Sequence, residues 1–261
     1  MLSADEMRRF AETGYLGPFD LPADVQSRFA GQDYLERVRM ALASGLPREQ
    51  MRNQHLYSRS LLEFVSVPAI LDRVRAILGD DVLLWVAHYM AREPDSGGQK
   101  WHTDAINQYT RGLHVSIAMT DMTQANGCLS LIPGSHLYRP SLWAREQAGL
   151  LDRFDSDAVR AFADREAWWN APHDVRPMAL HAGQFFFTWG GLWHFVSPNR
   201  TPQTRIACVA RYVRTDFRCC DHGYRDDRIE PGDPQPCVLV HGQDRFGLND
   251  VRARPDRDLF D

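Results

Sequence analysis

The chain has 261 residues, a formal net charge of −4 and a hydrophobic fraction of 44%. These values are typical of a globular protein and exclude a fibrous or disordered chain. The acidic balance argues against binding of nucleic acid through bulk phosphate attraction, and no apolar run approaches the roughly 20 residues of a membrane-spanning helix. The N-terminus has no secretory-signal pattern, and the five cysteines have no C-x-x-C spacing. We therefore expect a cytoplasmic protein with reduced thiols.

Helical patterns dominate the first 80 residues. Ser3-Ala4-Asp5-Glu6 is a capping box, in which each end residue offers its side chain to a backbone N–H of the other. It predicts a helix that ends at about residue 12. A second helical stretch is predicted over residues 23–43. A third, Pro68–Leu78, carries apolar residues at helical spacing.

Short strand patterns separated by glycine and proline turns follow. They are Val82–Met90, Leu113–Met119, Gly127–Ile132, Gln184–Trp189 and Ile206–Val213. A helical part followed by many short strands predicts a mainly β fold, a jelly roll or sandwich with flanking helices.

The pattern predicts one domain over residues 1–261, made of four parts. They are a helical N-terminal part up to about residue 80, a core over about 82–213, a helical insert in that core at about 140–169, and a polar, irregular C-terminal strap over about 216–261.

Two separated stretches carry metal-ligand side chains. Trp101-His102-Thr103-Asp104 contains an H-x-D pair, and residues two apart in an extended strand point to the same face, so both can reach one ion. About ninety residues later, His194 follows an aromatic strand pattern. Two imidazoles and one carboxylate form the facial triad that suits Fe(II) and leaves three coordination positions open. The helical H-E-x-x-H motif of many zinc hydrolases is absent from the sequence.

Arg205 lies eleven residues after His194, at the start of the last strand pattern of the core. A guanidinium in this place can hold a distal carboxylate through two hydrogen bonds, as a 2-oxoacid with a second carboxylate requires. Fe(II), one aspartate and the 2-oxoglutarate dianion sum to one negative charge, which Arg205 neutralises. Such neutralisation lowers the cost of burying the site.

The sequence resembles the phytanoyl-CoA dioxygenase family of Fe(II)- and 2-oxoglutarate-dependent oxygenases. The most specific block is Asn126–His136, which reads N-G-C-L-S-L-I-P-G-S-H. Further residues occur in the family's order: the opening helix with Gly14-Tyr15, then Trp101–Asp104, Gly183–Phe187, His194 with Ser197-Pro198-Asn199, and Arg205. The block itself is expected to be structural, a turn, a short buried strand and a second turn, with His136 as a hydrogen-bonded loop residue.

The resemblance implies a double-stranded β-helix of the jelly-roll, cupin-like kind, with iron at one open end. It implies that the iron ligands are His102, Asp104 and His194. It also implies that Arg205 binds the tail of 2-oxoglutarate and that Gln99, three residues before the first histidine, touches this cosubstrate. Val196 departs from the family, because many members have a serine at this position.

Asp104 bears on the type of reaction. Halogenating relatives replace this carboxylate by Ala or Gly, which opens a position for chloride, so the resemblance favours oxygen chemistry. We expect a dioxygenase that uses O2 to oxidise a C–H bond of a small molecule, by hydroxylation or oxidative ring closure, in bacterial secondary-metabolite or antibiotic biosynthesis. Sugar-containing molecules are among the expected substrates.

Three alternatives stay open: a non-heme iron halogenase, a hydrolytic metal enzyme with the same triad, and a non-catalytic jelly-roll binding protein. The sequence does not indicate an oligomeric state. The substrate pocket is expected to form from Val82–Met90, Asn107–Tyr109, the insert and the strap. Candidate lid residues are Trp143, Trp168 and Trp169. His114 and Tyr212 lie on strand patterns whose inward face is not determined by alternation.

Overall fold

The computed structural model describes residues 2–104, 112–138, 142–166, 173–225 and 228–260. Its helices are α1 (Ala4–Thr13), α2 (Ala23–Phe29), α3 (Gln32–Ala43), α4 (Arg48–Arg52), α5 (Arg59–Val65), α6 (Pro68–Leu78), α7 (Leu142–Gln147) and α8 (Ser156–Glu166). The predicted capping box begins α1: Glu6 N–H donates to Ser3 Oγ, and Ser3 N–H donates to Glu6 Oε2. The stretch predicted as one helix over residues 23–43 is two helices, because Gly31 is extended and begins α3 as its N-cap.

The strands follow the same chain order. They are β1 (Tyr15–Asp20), β2 (Val82–Arg92), β3 (Gln99–His102), β4 (Leu113–Ala118), β5 (Leu129–Leu131), β6 (Arg176–Pro177), β7 (Gln184–Trp189), β8 (His194–Val196), β9 (Arg205–Arg214), β10 (Cys220–Arg225), β11 (Arg228–Pro234), β12 (Pro236–His241) and β13 (Asp250–Arg252). All five predicted strands are present, and β1, which the sequence patterns did not predict, pairs with β7.

Two sheets form the jelly roll. The large sheet has the order β1-β7-β4-β9-β2-β12-β13, and the small sheet has the order β3-β8-β5-β6. Their facing sides pack through a shared apolar cluster, in which Ala118, Phe186 and Ala207 of the large sheet meet Leu131 of the small sheet. The expected jelly-roll fold with flanking helices is confirmed, while the division into four parts stays a prediction.

The helices cover the outer side of the large sheet. Phe10, Phe64 and Val74 from three helices join one buried cluster with Phe187 and Cys208 of the sheet. Along β9, the side chains that enter this cluster are those at even positions. Since side chains alternate across a strand, the odd positions, which include Arg205 and Arg211, face the small sheet. The interior between the two sheets therefore contains both arginines.

The C-terminal strap is more regular than expected. β12 pairs antiparallel with β2 and parallel with β13, so this segment extends the large sheet. The expectation of irregular structure was wrong: the apolar side chains of Cys237, Val238 and Val240 are buried, and pairing satisfies backbone groups at the edge of β2 that would otherwise be buried without partners. No helix of the described residues is long and apolar enough to span a membrane.

The insert is helical, as predicted, in its described residues. Leu142 of α7 and Phe162 of α8 pack with Trp101 and Trp193 on the small sheet. Each tryptophan precedes a candidate ligand, His102 or His194, and adjacent strand residues point to opposite faces. The described part of the insert therefore covers the outer face of the small sheet, opposite to the candidate ligands.

Candidate metal centre

The pairing of β3 with β8 brings the two candidate histidine ligands together. His102 and His194 are direct partners across the two antiparallel strands, and their ring centroids lie 4.2 Å apart. The two residues are 92 positions apart in the sequence, so their proximity depends on the closure of the small sheet.

Backbone carbonyls orient both imidazoles in the same way. Nδ1 of His102 donates to the carbonyl of Lys100 at 2.7 Å, and Nδ1 of His194 donates to the carbonyl of Leu192 at 2.8 Å. Since a carbonyl can only accept, the proton of each neutral ring lies on Nδ1 and the lone pair lies on Nε2. This second hydrogen bond is the usual arrangement of a histidine that ligates a metal.

Asp104 completes the group from just beyond the end of β3. Its Oδ1 is 4.0 Å from His102 Nε2, and its Oδ2 is 3.6 Å from His194 Nε2. One ligand atom from each residue lies within 4.8 Å of the others. The structure brings the three side chains together, although Asp104 lies in a bend and not in an extended strand. Their role as metal ligands stays a prediction.

Two further side chains hold the Asp104 carboxylate. Nδ1 of His114 lies 3.2 Å from Oδ2, and Nη2 of Arg211 donates to Oδ1 at 2.9 Å. Burial raises the pKa of Asp104, but Arg211, His194 and His114 outweigh it and hold this pKa well below its ordinary value. The carboxylate is therefore ionised and oriented, as a metal ligand must be.

The histidines are neutral at physiological pH. Burial, together with the neighbouring His194, lowers the pKa of His102 to about 4. Burial also lowers the pKa of His194, although Asp104 opposes this shift. Neutral imidazole nitrogens and an ionised carboxylate are the protonation states that bind a divalent cation.

Arg205 is a buried cation at the other end of the same sheet interior. It is 3% exposed, and it donates from Nη2 to the carbonyl of Gly127 at 2.8 Å. Its Nε is buried without a hydrogen-bond partner among the described residues. Burial and the neighbouring Arg92, its partner across β2 and β9, lower the pKa of Arg205 to about 10. A buried guanidinium beside a second arginine fits an anionic ligand.

The Asn126–His136 block supports both parts of the site. Gly127, with φ of +84°, accepts from Arg205, and β5 pairs with β8 so that Leu131 lies opposite His194. His136 is hydrogen-bonded as predicted, with Nε2 at 3.1 Å from the carbonyl of Ala11, but it lies in a single 3-10 turn, Ser135–Leu137, and not in an irregular loop.

Gln99 is not brought to the other candidates by any contact within the described residues. It lies exposed at the start of β3, opposite Val196. Its role toward a cosubstrate stays a prediction.

The remaining pocket expectations have mixed outcomes. His114 faces the site through Asp104, whereas Tyr212 faces the helices and donates its hydroxyl to the carbonyl of Val65. Trp143 is half-buried on α7. Asn107–Tyr109, Trp168 and Trp169 lie outside the described residues.

Arg211 was not predicted, although the sequence held a signal for it. It lies six residues after Arg205 on one strand, so the two side chains share a face. If Arg205 points inward, alternation also places Arg211 inward. Its contact with Asp104 could not be predicted, because it depends on tertiary packing.

Comparison with known proteins gives consistent matches. The model of the phytanoyl-CoA dioxygenase (PhyH) family matches residues 26–207. The curated dioxygenase lolE1 of Epichloe uncinata is 24% identical over an alignment of 236 residues, and the match covers 81% of this chain and 82% of that protein.

Solved structures share the fold over almost the whole chain. The nickel complex of the non-heme monooxygenase ThoJ has a TM-score of 0.69 and 25% identity, covering 97% of this chain and 90% of that one. CytC3 with Fe(II) and alpha-ketoglutarate has a TM-score of 0.67 and 22% identity, covering 99% and 96%.

Proposed function

Because the chain belongs to the phytanoyl-CoA dioxygenase family and is an Fe(II)- and 2-oxoglutarate-dependent oxygenase, we propose the residues that perform this chemistry. The iron ligands are His102, Asp104 and His194, and the group that binds the distal carboxylate of 2-oxoglutarate is Arg205. One observation carries the proposal: the three ligand atoms lie within 4.8 Å of one another, and both histidines direct Nε2 away from their Nδ1 hydrogen bonds.

The donor set fits ferrous iron better than a structural zinc. Structural zinc sites are closed by four protein ligands, whereas the described residues offer three. Three protein ligands leave coordination positions for a chelating cosubstrate and O2. Zinc hydrolases also use three protein ligands, but binding of 2-oxoglutarate additionally requires a cation for its distal carboxylate, and the buried Arg205 can supply it.

Arg205 fits the cosubstrate by charge and by geometry. Its guanidinium is buried, and its Nε lacks a partner among the described residues. An arginine binds a carboxylate through two parallel hydrogen bonds, which fix direction as well as distance. The five-carbon diacid would therefore extend from the metal towards Arg205. Gln99 is proposed as a further, weaker contact with 2-oxoglutarate.

Bound in this site, Fe(II) with 2-oxoglutarate and O2 supplies an oxidant that removes a hydrogen atom from a C–H bond, and succinate and CO2 are released. The chain contributes orientation and shielding. Trp101 and Trp193, both fully buried, cover the outer side of the strands that carry the histidines. Water is thereby excluded from that side of the metal, as reactive intermediates require.

The substrate is a small molecule, and we propose a metabolite of bacterial secondary metabolism, with sugar-containing compounds as one class to test. The reaction is hydroxylation or oxidative ring closure. We also propose a cytoplasmic location, which the five free cysteines support.

The proposal is tested by the formation of succinate from 2-oxoglutarate. We expect turnover that requires Fe(II) and O2, that a true substrate accelerates, and that chloride does not redirect to a chlorinated product. His102→Ala should give a folded, iron-free, inactive protein. A His102→Ala protein that loses its fold, together with wild-type protein that never produces succinate, would instead indicate a non-catalytic protein with a structural metal.

A further inference from the structure

A group of buried polar side chains lies beside Asp104 on the interior face of the large sheet. Arg211 of β9 contacts Asp104, and its guanidinium lies 5.8 Å from the ring centroid of Trp85 of β2. His88 of β2 is the cross-strand partner of Val209, so it shares a face with Arg211. We call Trp85, His88 and Arg211 the Arg211 cluster.

Each member of the Arg211 cluster has an unused polar atom. Trp85 Nε1, His88 Nδ1 and Arg211 Nε are buried, and none has a hydrogen-bond partner among the described residues. The side chains of Trp85, His88 and Arg211 are more than nine-tenths buried. Buried polar groups normally have partners, and a group of them without any indicates a ligand or ordered water. The donors of Trp85 and Arg211 require an acceptor.

The electrostatic surroundings favour an anion. The positive charge of Arg52, an exposed residue at the end of α4, lowers the pKa of both His88 and Arg211. Burial, together with Arg211 and Arg52, lowers the pKa of His88 to about 3, so His88 is neutral. Asp104 is the one carboxylate that contacts Arg211 among the described residues, and the proposed metal site uses it as a ligand.

The charges of the proposed site do not cancel when Arg211 is included. The two positive charges of Fe(II) cancel the two negative charges of 2-oxoglutarate. Asp104, which contacts Arg211, carries one negative charge against the two buried guanidinium groups of Arg205 and Arg211. Among these groups of the described residues one positive charge is therefore left over, and burying excess charge is costly. A substrate with one negative charge would remove this cost.

We propose that the Arg211 cluster binds a carboxylate of the organic substrate. This inference rests on the proposed function and adds the substrate class. The planar guanidinium of Arg211 matches a carboxylate, and the indole N–H of Trp85 supplies a further donor. Because Arg211 contacts the metal ligand Asp104, the bound carboxylate lies next to the metal. The class is therefore a small carboxylic acid whose reacting carbon is a few bonds from the acid group.

The test uses matched pairs of free acids and primary amides, namely N-acetyl amino acids and the corresponding N-acetyl amino acid amides. Binding to protein loaded with Ni(II) and 2-oxoglutarate is measured by calorimetry. We expect acids to bind at least about 10-fold more tightly than their amides. Trp85→Phe, which keeps an aromatic side chain but removes the indole N–H, should reduce this preference. Arg211→Gln should abolish it, while Arg211→Lys keeps part of it.

Two controls make the outcome decisive. Nickel binding by each Arg211 variant is measured first, so that loss of metal is separated from loss of the acid preference. Arg9→Gln, at an exposed arginine of α1, should leave the preference unchanged. Equal binding of acids and amides, or tighter binding of matched phosphate monoesters, would overturn the carboxylate site.

Failure of this inference is distinct from failure of the proposed function. Substrate-free conversion of 2-oxoglutarate to succinate by wild-type protein tests the function alone. If this conversion occurs and no acid is preferred over its amide, the oxygenase proposal stands and the Arg211 cluster is not an anion site.

Discussion

His102 and His194 are cross-strand partners, and each donates Nδ1–H to the carbonyl two residues before it in its own chain. The same side-chain-to-backbone hydrogen bond thus orients a histidine on each of the two antiparallel strands. Because these hydrogen bonds use only backbone acceptors, the orientation of Nε2 depends on the strand conformation and not on neighbouring side chains. The small sheet is therefore a rigid support for two ligands of the proposed metal site.

Removal of one histidine should abolish metal binding without unfolding the protein. For His194→Ala we expect at least about a 100-fold loss of Co(II) affinity, since even indirect partners of metal ligands contribute 10- to 100-fold. Spectroscopic titration with Co(II) measures the loss, and circular dichroism checks the fold. His181→Ala, at a histidine whose side chain is 87% exposed, is the matched control and should bind Co(II) normally.

Replacement of Arg205 should affect 2-oxoglutarate and not the metal. Arg205→Gln removes a buried charge-assisted contact worth about 1.5–3 kcal/mol per hydrogen bond, so we expect the affinity for 2-oxoglutarate to fall by at least about 10-fold. Calorimetry on the Ni(II)-loaded protein measures this. Arg9→Gln should have no effect. An unchanged 2-oxoglutarate affinity in Arg205→Gln would assign the cosubstrate to another group.

Gly127→Ala should disturb the support of Arg205. A Cβ at Gly127 would lie 2.6 Å from the carbonyl oxygen of Ser197, and the backbone has a positive φ. Gly45 has a similar φ of +79°, but an added Cβ there would have nothing within 4 Å. Gly45→Ala therefore measures the cost of the backbone conformation alone, about 1 kcal/mol of unfolding free energy.

Both variants are compared by urea unfolding and by calorimetry with 2-oxoglutarate. We expect Gly127→Ala to lose more stability than Gly45→Ala. Gly127→Ala should also weaken 2-oxoglutarate binding, whereas Gly45→Ala should not. Equal effects of the two variants on both measurements would show that the contact with Ser197 does not matter for Arg205.

Local sequence patterns predicted α1, α6 and five of the strands, and they pointed to the three side chains that the small sheet brings together. The capping box at Ser3 predicted α1, and the H-x-D pair with a distant histidine predicted the group that the small sheet brings together. Residue types, strand alternation and spacing, which are local properties, predicted these three side chains, and the resemblance to the phytanoyl-CoA dioxygenase family implied the same set. The sequence also predicted Arg205 as the group for a distal carboxylate, and the structure buries that side chain.

Features that depend on register were not predictable in this way. His114 and Arg211 are cross-strand partners on β4 and β9, and both reach Asp104 from that pair. The sequence alone does not show that β4 pairs with β9, so the contacts of His114 and Arg211 with Asp104 appear only in the folded structure. The strap was misjudged because the short apolar run Cys237–Val240 was not predicted as a strand. In the structure this run is part of β12, which pairs with the edge of β2.

Acid should destabilise the protein through buried neutral histidines. His55 is fully buried, and burial lowers its pKa from 6.5 to about 4. The unfolded chain takes up a proton on this residue below about pH 6.5, whereas the folded chain does so only near pH 4. The free energy of unfolding therefore falls as the pH decreases through this window, by on the order of 2 kcal/mol at pH 5.

Urea unfolding at pH 7 and pH 5 measures this effect. His55→Gln keeps an acceptor for the Ala87 N–H, which His55 Nδ1 accepts at 3.1 Å, and it removes the titrating group. The difference in stability between the two pH values should shrink in this variant and stay unchanged in His181→Gln. An unchanged pH difference in His55→Gln would mean that His55 is not buried as a neutral group.

The most direct test of the central claim is an anomalous difference map at the iron edge from crystals grown anaerobically with Fe(II) and 2-oxoglutarate. We expect one peak within coordination distance of His102 Nε2, Asp104 and His194 Nε2, with the density of the diacid ending at Arg205. A peak elsewhere, or none at these three residues in protein that still converts 2-oxoglutarate to succinate, would contradict it.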